Sequence, residues 1–150
     1  MRIFLHLCYI SISLLVLVGL SACNSGNSSV TAKDVQKALE KQGLEVTQIN
    51  VGTAEQGENS SLQLEGVFPE AFDVTLPTAD LANPEYVFVY QFSAEKEAKS
   101  AKESVGISSL RMVDLHPNVA QKKNIVVIYW SQTMEKPLMI NQFTKAMDKL

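Results

Sequence analysis

Cysteine, histidine and surplus charge are all scarce in this chain. Its two cysteines, Cys8 and Cys23, both fall within the first 23 of 150 residues. That rules out a disulfide framework for the remainder, and with it a cysteine zinc site or a thiolate nucleophile. The two histidines are His6 and His116, so only one imidazole lies beyond the start of the chain. A zinc centre takes three or four ligands, and no metal or other cofactor is expected. The net charge is −3, with no basic stripe of the kind a general nucleic-acid binder carries. Such a charge also argues against adhesion to anionic lipid by overall charge alone. The G-x-S-x-G pattern of a nucleophile elbow is absent. The pair Gly52 and Gly57 lacks the lysine that a phosphate loop needs.

What is present is a globular composition, 46% hydrophobic and 19% charged, in a length that fits one domain. Part of the apolar content sits at the start, MRIFLHLCYISISLLVLVGLSAC. Arg2 supplies a minimal positive end. Ile10 to Leu20 is a short apolar stretch broken by Ser11 and Ser13. It is about half of what a membrane-spanning helix requires, and its position marks it as a secretory leader.

Leu20-Ser21-Ala22-Cys23 closes the leader: a branched apolar residue, two small residues, then cysteine. This resembles the lipobox of bacterial lipoprotein precursors. The resemblance implies a diacylglyceryl group on the thiol of Cys23 and cleavage before it by signal peptidase II. Lipid attachment at Cys23 would hold the chain to a membrane on its extracytoplasmic side, and acyl chains bury about 0.8 kcal/mol per CH₂. Removing 22 residues from 150 takes Arg2 with them and leaves 128 residues with 12 Lys+Arg against 16 Asp+Glu, a net of −4. Asn24 stands where some Gram-negative lipoproteins carry an inner-membrane retention aspartate. Asn24 to Ser29 is a polar Gly/Ser-rich linker that reaches at most roughly 20 Å. The expected organisation is a signal peptide at 1–22, a lipidated cysteine and linker at 23–30, and a single domain at 31–150. Two glycosylation sequons, at Asn27 and Asn59, are chance matches in a bacterial chain.

Within the domain, Thr31 and Asp34 have capping-box spacing before a helix with Val35, Ala38 and Leu39 on one face. Gly43 suits its C-terminal stop. Leu44 to Val51 reads as a strand whose alternation slips at Gln48-Ile49, suggesting a bulge. Leu62 to Glu65 and Phe72 to Leu76 alternate as short half-buried strands. Tyr86 to Phe92 is apolar on both faces and belongs at the middle of a sheet. A helix should follow, capped by Ser93, packed through Ala94, Ala98, Ala101 and Val105, and closed by Gly106. Leu110 to Leu115 reads as a strand and His116-Pro117-Asn118 as a turn. Ile125 to Trp130 is a second central strand. Pro137 opens a last helix with Met139, Phe143, Met147 and Leu150 on one face. This order predicts an α+β fold: a mostly antiparallel or mixed sheet of about five strands, with two or three helices on one face.

Few residues offer chemistry. Asp114 and His116 would share a face if both lay in a strand, as an acid-oriented base or half a metal site. A turn at His116-Pro117-Asn118 is the plainer expectation. Glu65, Glu70 and Asp73 fall close enough together to supply the paired carboxylates of a glycosidase, though acids at a strand–loop junction ordinarily face water. Tyr86, Phe88 and Tyr90, with Tyr129 and Trp130, form either a binding platform or core. No catalytic set is assembled. The expected function is therefore a membrane-anchored, non-enzymatic binding module of the cell envelope, contacting a protein, peptide or cell-wall component and no nucleic acid. The alternatives are a small hydrolase or enzyme subunit acting on wall or lipid, and a structural or stress lipoprotein.

Overall fold

The computed structural model describes residues 29–51, 60–78 and 84–150. The leader, Cys23, the linker up to Ser28, the sequon asparagines Asn27 and Asn59 and the whole Gly52–Gly57 loop lie outside these residues. Among the described residues no helix is long and apolar enough to cross a membrane.

Five antiparallel strands make one sheet: β1 Glu45–Ile49, β2 Glu70–Thr75, β3 Glu85–Gln91, β4 His116–Lys122 and β5 Ile125–Ser131. Their order is β1-β2-β3-β5-β4. Four α-helices accompany them among the described residues: α1 Ala32–Glu40, α2 Glu95–Glu103, α3 Val105–Ser109 and α4 Ile140–Asp148. The fold is α+β, as the sequence predicts.

The helices differ from expectation in covering both faces. Every residue of β5 is buried, and so are all but Tyr86 and Gln91 of β3. Strands apolar on both faces need cover on both. Val87, Val89, Ile125 and Val127 meet α1 and α4 through Val35, Leu39, Phe143 and Met147. Phe88, Tyr90, Val126, Ile128 and Trp130 meet Ala98 and Ala101 of α2 on the other side. The same two-sidedness explains the slip in β1. Its pairing with β2 runs unbroken from Glu45 to Ile49 with no bulge. Val46 serves one core and Ile49 the other.

Local signals hold in α1 and fail elsewhere. Thr31 Oγ1 accepts from the Asp34 N–H at 3.3 Å, and Asp34 accepts from the Thr31 N–H at 3.0 Å, closing the capping box. Gly43 adopts φ +84° and lets the Leu44 N–H return to the Leu39 carbonyl at 3.4 Å. Ser93, however, does not cap α2. Its hydroxyl and N–H both donate to Glu97, which lies four residues on. That bond holds the Glu97 carboxyl below the usual carboxylate range. Nor does Gly106 end the helix. The break comes at extended Ser104, whose hydroxyl accepts from the Gly106 N–H at 3.2 Å and starts α3. A Cβ on Gly106 would stand 3.1 Å from Leu64 Cδ1, so the small residue permits close approach there.

Two expected strands are absent. Leu62 to Glu65 instead contributes to a tight hairpin, in which Leu64 and Val67 exchange two 3.0 Å bonds around Glu65 and Gly66. Both turn residues have positive φ, as a type I′ turn demands. Leu110 to Leu115 is irregular. The strand begins one residue later, at His116, and runs through Pro117. An edge strand tolerates proline because one side of it forms no ladder, and β4 is one of the two edges of the sheet.

Candidate functional site

The aromatic residues are mostly core. Phe88, Tyr90, Tyr129 and Trp130 are each at most 1% exposed. Phe88 and Trp130 pack edge to face with centroids 6.1 Å apart. Burial pushes the Tyr90 hydroxyl far up from its ordinary value, and it donates to the Leu62 carbonyl at 3.0 Å. Only Tyr86 is left half-buried, at the start of β3. Burial first, and the neighbouring Asp73 carboxylate second, raise its pKa.

Tyr86 lines a cleft of about 440 Å³ together with Pro84, Val113, Asp114, Leu115 and Gln132. The chain between α3 and β4 shapes it. The Leu115 N–H returns to the Met112 carbonyl at 3.3 Å, and Asp114 takes φ +58°. Aspartate is among the few residues that visit the left-handed region readily. The turn holds Val113 outward at 89% exposure, the highest of any large hydrophobic among the described residues. An apolar side chain held out beside a tyrosine and a proline is a surface suited to contact.

This cleft unites two of the residues singled out in the sequence, Tyr86 and Asp114, and separates the rest. His116 does not line it. Asp114 lies in the turn and not in a strand, so the two side chains do not share a strand face, and no hydrogen bond joins them. The His116 main-chain carbonyl, not its ring, is engaged: Ser131 Oγ donates to it at 3.4 Å. The three acids also part. Glu65 is exposed at the hairpin turn, while Glu70 accepts from Gln48 at 3.4 Å at the start of β2. Asp73 is an odd number of residues from Glu70 on the same strand and so projects from the opposite face. Among the described residues, no group of three His, Cys, Asp or Glu could hold a metal ion. Asp73 Oδ1 and Trp130 Nε1 are buried without a hydrogen-bond partner among the described residues.

Three polar side chains are buried among the described residues, Glu85, Asn124 and Ser131, and none of them is singled out by the sequence. Glu85, 2% exposed, stands at the start of β3. The Tyr129 hydroxyl donates to it, as does the Gln132 N–H at 3.0 Å. The same hydroxyl accepts from the Met139 N–H at 3.0 Å. Burial, then the Glu85 hydrogen bond, push the Tyr129 pKa up. This network ties β3, β5 and the approach to α4 beneath the cleft's end of the sheet. Asn124, 6% exposed, acts at the opposite end. Its Oδ1 accepts from the Val30 N–H at 2.7 Å, and its Nδ2 donates to the carbonyls of Val30 and Phe92, each at 3.2 Å. A charged residue opening an apolar strand, and an asparagine directly before one, were the available signals.

Comparison of the chain with protein-family models, with curated proteins and with solved structures finds no match.

Proposed function

We propose that this chain is a lipoprotein of the bacterial envelope, held to a membrane by lipid on Cys23 and facing the extracytoplasmic side. Its domain is a non-enzymatic binding module, and the Tyr86–Val113 cleft is its contact surface for a protein, peptide or wall component. One observation carries the assignment of the surface: Val113 is held out by the left-handed turn at Asp114, beside the single tyrosine of the aromatic set that is not core. The anchor rests on the lipobox residues Leu20 to Cys23. The hydrolase alternative draws on His116, which does not line this cleft.

The test is a photo-cross-linking residue at position 113 in living cells, with position 99 on α2 as the control. Adducts of one reproducible species from 113 and none from 99 are expected. Equal capture from both positions, or none from either, would contradict the assignment. Cys23→Ala is expected to leave an uncleaved precursor without lipid, and normal maturation of that variant would sink the anchor.

A further inference from the structure

At the other end of the sheet lies a second cleft, of about 390 Å³. Lys37 reaches it from α1, Lys41 from just beyond that helix, Lys123 from the β4–β5 turn, and Lys149 from just beyond α4. Lysines outnumber acids four to one among its lining side chains, or four to two if the carboxylate of Leu150 is counted. The one acidic side chain, Asp34, is already engaged by the Thr31 N–H and hydroxyl. Its carboxyl is held low chiefly by those bonds, with smaller help from Lys37 and Lys123. Ser29 and Val30 form part of the same wall. Val30 is fastened there by Asn124, so the chain emerges toward Cys23 from the edge of this cleft. Only Asn24 to Ser29 separate the two points, a reach of at most roughly 20 Å.

We propose that this cleft is an anionic-headgroup site. It takes the phosphates of acidic lipids in the bilayer that holds Cys23 and seats the domain with its tether end down. The inference rests on the lipid-anchor reading. A net of −4 on the processed chain repels an anionic surface as a whole, and a local excess of cations at one end turns that repulsion into orientation. The tether keeps the cleft within reach of headgroups, so a weak site is filled by effective concentration. The attraction acts over a Debye length of about 8 Å at physiological salt, which makes it salt-sensitive.

The test uses the mature lipidated protein in vesicles of phosphatidylcholine, with and without phosphatidylglycerol, labelled with an amine reagent and read lysine by lysine by mass spectrometry. Labelling of Lys37, Lys41, Lys123 and Lys149 is expected to fall several-fold in the anionic vesicles and to recover in high salt. Lys96, Lys99 and Lys102 on α2 should not change. The double variant Lys37→Gln/Lys41→Gln is expected to lose the protection at Lys123 and Lys149, and Lys99→Gln to keep it. Equal labelling in both vesicle types would overturn the proposal. Equal protection by inorganic phosphate in neutral vesicles would overturn it in favour of a free-anion pocket. The mass of the N-terminal peptide reports acylation separately: an unacylated Cys23 overturns the anchor, whereas acylated protein with unprotected lysines overturns the cleft alone.

Discussion

At the tether end of the sheet, Asn124 closes the β4–β5 turn with side-chain bonds to Val30 and Phe92. Four lysines line the cleft at that end. At the far end, roughly 20 Å away along a seven-residue strand, Glu85 and Tyr129 join β3 to β5 and to the Met139 N–H. There the surface carries Val113 and Tyr86. Each end uses a buried polar side chain, Asn124 or Glu85, to bind segments distant in sequence, and both of these side chains are partnered. The difference lies outside the clasp, with cations at one end and apolar groups at the other. On the proposed lipid-anchored reading, such polarity would set one end of the domain against the membrane surface and leave the other for a partner.

Breaking the tether-end clasp should have the larger effect. Asn124→Ala leaves the Val30 N–H and the carbonyls of Val30 and Phe92 without their partner. At about 1–3 kcal/mol for each unsatisfied buried group, with water rescuing part of it, the expected loss is about 3 kcal/mol by urea unfolding. Amide exchange should quicken first in Val30 to Leu39. A loss below about 1 kcal/mol would show that Asn124 is not what fixes the tether root. At the far end, Tyr129→Phe removes one donor to the Glu85 carboxylate and the acceptor for the Met139 N–H, while the Gln132 N–H still serves Glu85. The expected cost is about 2 kcal/mol by thermal or urea unfolding, with exchange quickening around Met139 and not around Val30. If the two variants loosen the same amides, the ends are not independent clasps.

Much of this arrangement was legible where one principle governs. The capping box of Thr31 and Asp34 is local hydrogen bonding, and it stands as read. Tyr86 to Phe92 and Ile125 to Trp130 are apolar on both faces, and both lie inside the sheet. What the periodicity of single segments could not convey is what lies opposite each face. Ile49 reads as a slip in the alternation of its own segment because it packs on a second core, which that segment alone does not reveal. His116-Pro117-Asn118 looked like a turn because proline disfavours strands, and only the edge position of β4 removes that objection. Of the site, Tyr86 and Asp114 carry a sequence signal, Tyr86 as part of an aromatic set that reads as platform or core and Asp114 as a neighbour of His116. Val113 gave no signal, since its exposure depends on the left-handed turn at the next residue. The lysines of the tether-end cleft are spread from 37 to 149, so only the fold brings them together, and the net charge pointed away from them.

The polarity of the two ends is tested most directly by depth in the bilayer. With Cys23 acylated, the domain has no other cysteine, so a single one can be introduced and labelled. A fluorophore at Gln42→Cys, beside the lysine cleft, and one at Val113→Cys, beside the far cleft, would be compared in anionic vesicles carrying a quencher on the lipid headgroups. Strong quenching at 42 and little at 113 is the expected result. Equal quenching at the two positions, or stronger quenching at 113, would contradict it.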